Sequence, residues 1–213
     1  MNNYTIEVQD KDNQKEQYNI KFVNEYEEKF SDNVWFTRKA RIQSEKRLKR
    51  NHIHSQLLLI EYTLLASILS VITLRYNKIL GEDTDILIAV FSIIILVISL
   101  VITNFDFNER ANSFKINYIQ LQEIYLESKE LEKDNKSLVD VRKLYSKALE
   151  SIENHELIDD IWARVENSNG LKSRKPTKLE YIRYYGYRLS VFTVFLILYI
   201  LPVITIFIMF YTK

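Results

Sequence analysis

The sequence predicts an all-α membrane protein with three transmembrane helices and a cytosolic helical hairpin. Two uncharged apolar runs, residues 86–105 and 189–212, are long enough to cross the hydrocarbon core of a bilayer, which takes roughly 20 residues. Soluble helices rarely need such runs. Three glycines and two prolines in 213 residues also favour long helices over a fold rich in turns.

The N-terminal segment, residues 1–37, differs from the rest because it is polar and carries a net charge of −4. Residues 4–8 alternate apolar and polar side chains, and residues 18–23 partly do, which indicates a small β-hairpin. The charge equally suits a disordered polar tail, and both interpretations remain open. The first 21 residues lack the apolar stretch of a cleavable signal peptide. We place the membrane domain at residues 38–212.

The first transmembrane helix is predicted at residues 57–76. Its 18-residue apolar run, 57–74, contains one charge, Glu61. Glu61 lies about 6 Å inside the run at 1.5 Å per residue, so its carboxylate can reach the interface or pair with the basic residues before the helix. A functional role is the alternative, because acidic residues inside membranes often mark ion pathways.

Lysine and arginine placement predicts the orientation. Basic residues are dense in 38–50 and in 172–188, whereas the loop at 77–85 has one lysine against three acidic residues. Cytosolic loops of membrane proteins carry the excess of basic residues. We therefore expect the N-terminus and residues 106–188 in the cytosol, and the C-terminus after the helix at 189–212 outside.

Two cytosolic helices are predicted, at residues 106–134 and 138–166. Each has an apolar stripe at spacings of three and four, typical of helices packed in a hairpin or an oligomeric bundle. The first stripe is Phe114, Tyr118, Leu121 and Tyr125; the second is Leu138, Val141, Tyr145, Ala148, Ile152, His155, Asp159 and Trp162.

His155 and Asp159 place polar groups in this otherwise apolar stripe, next to Glu153 and Asn154. One interpretation is a polar layer that fixes helix register. A second is a switch or ligand site that alters helix packing, and a third is a divalent metal site. One histidine and one aspartate are too few for a catalytic metal, so no metal or cofactor is expected.

Hydroxyl side chains recur on one face of each of the first two membrane helices. Small polar residues allow close helix packing, and they also suit the wall of a water-filled pore. Because three helices enclose little space, a pore would require a homo-oligomer within the lipid bilayer. These candidates are Thr63, Ser67 and Ser70 in the first helix and Ser92, Ser99 and Thr103 in the second.

Known catalytic patterns are absent from the sequence. There is no cysteine, no glycine-rich phosphate loop, no Gly-x-Ser-x-Gly and no His-Glu-x-x-His. The formal net charge of +1 shows no overall basic bias. We therefore expect neither an enzyme nor direct nucleic-acid binding.

Two short motifs add a family resemblance. Asn-Glu-Arg-Ala occupies 108–111, and Tyr145 begins the pattern Tyr-x3-Leu-x3-Glu-Asn-His-x3-Asp that ends at Asp159. With the membrane helices, over residues 38–212, they resemble the SLATT family of bacterial defence-associated two-transmembrane effector domains. The extra C-terminal membrane helix is most similar to the reverse-transcriptase-linked kind.

The resemblance implies an effector of anti-phage, abortive-infection systems that oligomerises and opens a pore in the bacterial inner membrane on a cytosolic signal. Its implied partners are a nucleotide-signal synthase, a sensor or a reverse transcriptase encoded nearby. The implied ligand or switch positions are Arg110, Glu153, Asn154, His155 and Asp159. The alternative function is a membrane anchor or scaffold that forms no pore and recruits a cytosolic partner.

Overall fold

The computed structural model describes the backbone of residues 3–75, 81, 83–171 and 173–211. Within these ranges it describes side chains from residue 30 onward, except at 205, 206 and 208–211. No strand occurs in the described ranges, so the predicted all-α class is confirmed. The helices are α1 (Asn3–Thr73), α2 (Thr84–Asn104), α3 (Phe107–Lys133), α4 (Val139–Glu150), α5 (Leu157–Glu166) and α6 (Lys178–Tyr211).

The N-terminal β-hairpin is wrong, because α1 is helical from Asn3 onward. The alternating residues 4–8 and 18–23 are separated by a polar stretch without glycine or proline, and neither residue occurs anywhere before Gly81. A tight hairpin turn favours glycine at positions of positive φ, so the chain lacks the residue that would reverse it.

Three helical stretches each contain an apolar segment long enough to cross a membrane: Phe30–Thr73, Thr84–Lys133 (α2 together with α3) and Lys178–Ile204. In the most apolar 18 residues of each stretch, only 11%, 11% and 6%, respectively, are buried within the chain. Such large exposed apolar surfaces are unfavourable in water and favourable in lipid. The three predicted transmembrane helices are therefore confirmed. Of the predicted loop between the first two, residues 77–80 and 82 lie outside the described part, as do Tyr76 and Thr212 at the ends of predicted spans.

The predicted helices at 86–105 and 106–134 adjoin without a glycine or proline between them, and α2 and α3 are separated at Asp106. This residue has a φ of 45°, in the left-handed region. Its N–H donates to the carbonyl of Thr103 at 3.3 Å, and its own carbonyl accepts from the N–H of Arg110 at 3.0 Å. Asp106 thus ends one helix and begins the next, since aspartate tolerates this backbone conformation better than most residues.

The predicted helix over 138–166 is also wrong, because it is divided into α4 and α5 by residues 151–156. The Asp159 carboxylate accepts the backbone N–H of Glu156 at 3.1 Å. Such a bond from the third helical residue back to the N-cap N–H is half of a capping box. It begins a new helix where the three-four spacing alone predicted continuation.

Side-chain and backbone caps define two further helix ends. Asn135, at a φ of 50°, ends α3 in a Schellman motif in which the Lys136 N–H donates to the Leu131 carbonyl at 2.9 Å. Thr177 and Glu180 form a capping box at the start of α6, with the Thr177 N–H donating to the Glu180 carboxylate at 2.8 Å.

The chain divides into two compact units. The helical unit comprises Phe114–Arg164 with α1 up to Gln43, and the membrane unit comprises Ser44–Ser113 with Val165 onward.

Candidate functional site

The helical unit is built on an apolar core formed by α1, α3 and α4. Polar bonds at its edges join the same helices: Ser31 donates to the Glu132 carboxylate at 2.7 Å, and the Thr37 and Tyr145 hydroxyls lie 2.7 Å apart. The stripe residues of α3 and α4 therefore pack as a helical core requires. The buried core residues are Phe30, Val34, Leu121, Ile124, Leu138, Val141 and Ala148.

Arg41 lies at one end of this core and is fully buried, with 0% of its surface exposed. Its Nη1 donates to the Asn117 side-chain oxygen and, at 3.1 Å, to the Ala148 carbonyl. Its Nε and Nη2 are buried and have no hydrogen-bond partner. Burial lowers the pKa of Arg41, opposed by the Tyr145 hydroxyl. An arginine remains charged in proteins, so the core contains a cation with two unused donors.

Asn117 fixes the position of this guanidinium. Its side chain is 2% exposed, and its amide nitrogen donates to the Ala148 carbonyl at 2.7 Å and to the Ser151 hydroxyl at 3.0 Å. Ala148 lies in the last turn of α4, where carbonyls lack helical partners and favour a nearby cation. Arg41 and Asn117 thus join α1 and α3 to the end of α4.

His155, just before α5, is half-buried, and the charge of Arg41 acts on it. Its Nδ1 is buried and has no hydrogen-bond partner. Burial lowers the pKa of His155; the carboxylates of Asp160 and Asp159 oppose this effect, and the charge of Arg41 adds to it. Neutral His155 is therefore favoured in the folded chain.

Both nearby carboxylates are already engaged. Asp159, 0% exposed, caps α5 through the Glu156 N–H, and Asp160 pairs with Arg164 at 2.9 Å. No described acidic side chain forms an ion pair with Arg41. The charge of Arg41 is thus uncompensated within the described part of the helical unit.

The remaining predicted ligand positions lie elsewhere. Glu153 and Asn154 are exposed on the connection between α4 and α5. Arg110, in the first turn of α3, is half-buried and belongs to the membrane unit. The charges of Asp159 and Arg41 both act on His155, and Arg41 is one of the basic residues at 38–50 that precede the first membrane helix. No described group of three or more histidine, cysteine or acidic side chains could hold a metal ion.

The predicted hydroxyl face of α1 is exposed on the surface of the membrane unit. Thr63, Ser67 and Ser70, which we call the hydroxyl stripe, donate to carbonyls of their own helix at 2.7, 2.8 and 2.9 Å. Bonding to the preceding turn satisfies each donor without another helix. The stripe therefore does not pack the helices of one chain together.

On α2, Ser92 and Thr103 behave in the same way. Both are exposed, and each donates to the carbonyl four residues earlier at 2.9 Å. Ser99 is half-buried, as is Glu61 on α1. The two predicted hydroxyl faces thus lie mostly outside the packed interior of the membrane unit.

An open apolar cavity of about 420 Å³ lies between α1, α2 and α6 in this unit. The Tyr62 hydroxyl donates to the Leu198 carbonyl at 3.0 Å, and the His54 ring stacks on Phe195 with centroids 4.2 Å apart. These contacts join α1 to α6. The lining is Ser55, Leu58, Leu59, Tyr62, Phe91, Ile94, Ile95, Ile98, Ile102, Phe195 and Leu198. A surface so poor in polar groups does not resemble the wall of a water-filled channel.

Comparison with known proteins agrees with this architecture. No curated protein and no solved structure matches the chain. A family model described as "SMODS and SLOG-associating 2TM effector domain family 5" matches residues 23–209. The match includes the buried Arg41 cluster and the hydroxyl stripe, and it confirms the resemblance to the SLATT family. The chain therefore belongs to this family of two-transmembrane effector domains linked to defence systems.

Proposed function

We propose that this protein is a membrane effector of a bacterial anti-phage system, and that several copies assemble into a pore in the inner membrane. The observation that carries the proposal is the exposed hydroxyl stripe, Thr63, Ser67 and Ser70. The other residues in this part of α1 are apolar.

A pore needs polar groups on its wall, because ions cross the membrane only where water or protein oxygens surround them. The cavity inside the membrane unit has an apolar lining and provides few such groups. A hydroxyl that donates to its own helix still has an oxygen free to accept from water. The hydroxyl stripe therefore suits the water-facing wall of a pore between copies of the chain.

The trigger in this proposal comes from the cytosol. The basic residues in 38–50 and 172–188 favour a cytosolic helical unit and an outside C-terminus. Arg41 and the hydroxyl stripe both lie on α1. A signal that alters the packing of α1 in the helical unit thus acts on the helix that carries the pore residues. The source of the signal would be a nucleotide-signal synthase, a sensor or a reverse transcriptase encoded nearby.

Cysteine accessibility tests the pore directly, because the chain has no natural cysteine. Ser67→Cys places a thiol in the hydroxyl stripe, and Ile68→Cys, at a neighbouring apolar position that is 47% exposed, is the matched control. In cells that express the neighbouring genes and are infected with phage, we expect membrane depolarisation and propidium uptake. A charged methanethiosulfonate should reduce both in the Ser67→Cys protein and leave the Ile68→Cys protein unchanged.

An equal effect of the reagent on depolarisation and propidium uptake in both variants would contradict a water-filled wall at the stripe. An intact membrane potential with the neighbouring genes and phage present would contradict the pore itself. That second outcome would favour a membrane anchor that recruits a cytosolic partner.

A further inference from the structure

The buried guanidinium of Arg41 has one edge engaged and one edge free. Nη1 bonds to Asn117 and to the Ala148 carbonyl, whereas Nε and Nη2 have no partner. The N–H bonds of Nε and Nη2 run nearly parallel along one side of the planar group. This is an edge with which arginine grips two oxygens of a carboxylate or phosphate. The free donors of Arg41 are thus a matched pair.

Leaving this edge unfilled is unfavourable, because buried charged donors without partners lose their hydration and gain nothing in return. Rotation of the guanidinium would not give the free donors a partner. It would break the bond to Asn117, whose side chain is itself held by bonds to Ala148 and Ser151. Asp159 and Asp160, the carboxylates that act on His155, already have partners: Asp159 caps α5, and Asp160 pairs with Arg164. The arrangement is therefore prepared for an acceptor that is not a described side chain.

His155 supplies a third group. Its Nδ1 is buried without a partner, and its charge state responds to Arg41. It precedes the first turn of α5, a ten-residue helix whose N-terminal end carries partial positive charge. A protonated His155 would add a third donor and a second positive charge. A carboxylate has two oxygens, whereas a phosphoryl group has three and carries nearly two negative charges at neutral pH.

We propose that Arg41 and His155 form a binding site for a phosphoryl group. Two phosphoryl oxygens accept from Nε and Nη2 of Arg41, and a third accepts from the imidazole of His155. Entry of the group requires local movement, because Arg41 is fully buried. The connection between α4 and α5, residues 151–156, is the segment we expect to move, since Ser151 bonds to Asn117 beside the guanidinium. Binding itself does not depend on the pore; the inference that it triggers opening rests on the function proposed above.

The imidazole nitrogens report this binding. The full chain, labelled with ¹⁵N-histidine, is placed in phosphatidylcholine nanodiscs and titrated with a soluble phosphate monoester, adenosine monophosphate, at constant chloride. We expect the His155 resonances to shift and those of His52 and His54, in the membrane unit, to remain unchanged. A second arm replaces part of the lipid with phosphatidic acid and omits the nucleotide, so a shift there would identify a lipid headgroup as the source of the phosphoryl group.

Arg41→Lys keeps the positive charge and removes the paired donors. We expect it to weaken binding about tenfold or more, the effect of losing one charge-assisted hydrogen bond. Arg38→Lys, one turn earlier on α1, is the matched control and should bind as the natural protein does. If Arg41→Lys does not fold, His155→Gln keeps the arginine edge. It should then reduce the rise in melting temperature that the phosphate monoester produces in the natural protein.

Unchanged His155 resonances in both arms would overturn the proposal, as would equal affinity of the natural and Arg41→Lys proteins. A confirmed site without depolarisation in cells would overturn only the proposed pore, so the two failures are distinguishable.

Discussion

At the residue scale, Arg41 shows how a buried charge can be concealed in a basic cluster. Val34, Thr37, Arg41, Ser44 and Leu48 follow one another at spacings of three and four, which is the pattern of a buried helix face. Four of these residues are at most 1% exposed, and Thr37 is half-buried. The three-four pattern of this buried face was therefore present in the sequence. It was missed because buried helix faces are recognised by apolar residues, and arginine is charged.

His155 gives the residue-scale prediction. Burial and Arg41 lower its pKa below the ordinary value of about 6.5, against the opposing carboxylates of Asp160 and Asp159. As pH falls below this ordinary value, the unfolded chain takes up a proton that the folded chain does not bind, so stability decreases. In phosphate-free chloride buffer we expect a lower melting temperature at pH 5.5 than at pH 7.5. His155→Gln should reduce the difference, and His52→Gln should preserve it.

At the element scale, helix ends were harder to predict than helices. The three-four stripe from Leu138 to Trp162 correctly marked Leu138, Val141, Ala148, Asp159 and Trp162 as buried. At the division between α4 and α5, the Asp159 carboxylate accepts from the Glu156 N–H and caps α5. Hydrophobic spacing marks Asp159 as buried but does not show which group its carboxylate bonds.

The capping bond predicts an effect on stability. Asp159→Ala removes a buried, charge-assisted hydrogen bond to the Glu156 N–H, and we expect a loss of about 1–3 kcal/mol in the stability of the helical unit. Asp140→Ala is the matched control, because that side chain is 94% exposed and lies 3.8 Å from Lys143. Thermal unfolding in detergent measures both. Equal melting temperatures for the two variants would show that the cap contributes little.

At the scale of the whole molecule, the chain combines two kinds of packing. The helical unit buries apolar side chains and a charged cluster, as proteins in water do. The membrane unit leaves many of its large apolar side chains exposed, including Ile60, Leu96 and Phe192. The three candidate spans explain this reversal, because lipid replaces water as the surroundings.

The orientation is the prediction at this scale. Asp83→Cys lies in the loop expected outside, and Asn135→Cys lies in the turn between α3 and α4 expected in the cytosol. A membrane-impermeant maleimide should label Asp83→Cys in intact spheroplasts and Asn135→Cys only after permeabilisation. The reverse labelling pattern would invert the topology and place the helical unit outside the cytosol.

The sequence by itself determined the membrane character, the number of candidate spans and the family. These properties depend on long apolar runs, on the spacing of lysine and arginine and on short motifs, all of which are local features of the chain. It also indicated His155 and Asp159 as exceptional positions, because a polar residue in an apolar stripe is visible without a structure.

Only the tertiary structure decided what those positions contact. It assigned Asp159 to a helix cap and showed that the charge of Arg41 acts on His155. It also showed that the donors of the guanidinium are divided between Asn117, the Ala148 carbonyl and a free edge. Arg41 is 76 residues from Asn117 and 107 from Ala148. The free energy of a buried charge depends on all of its neighbours at once, so no local pattern could predict it.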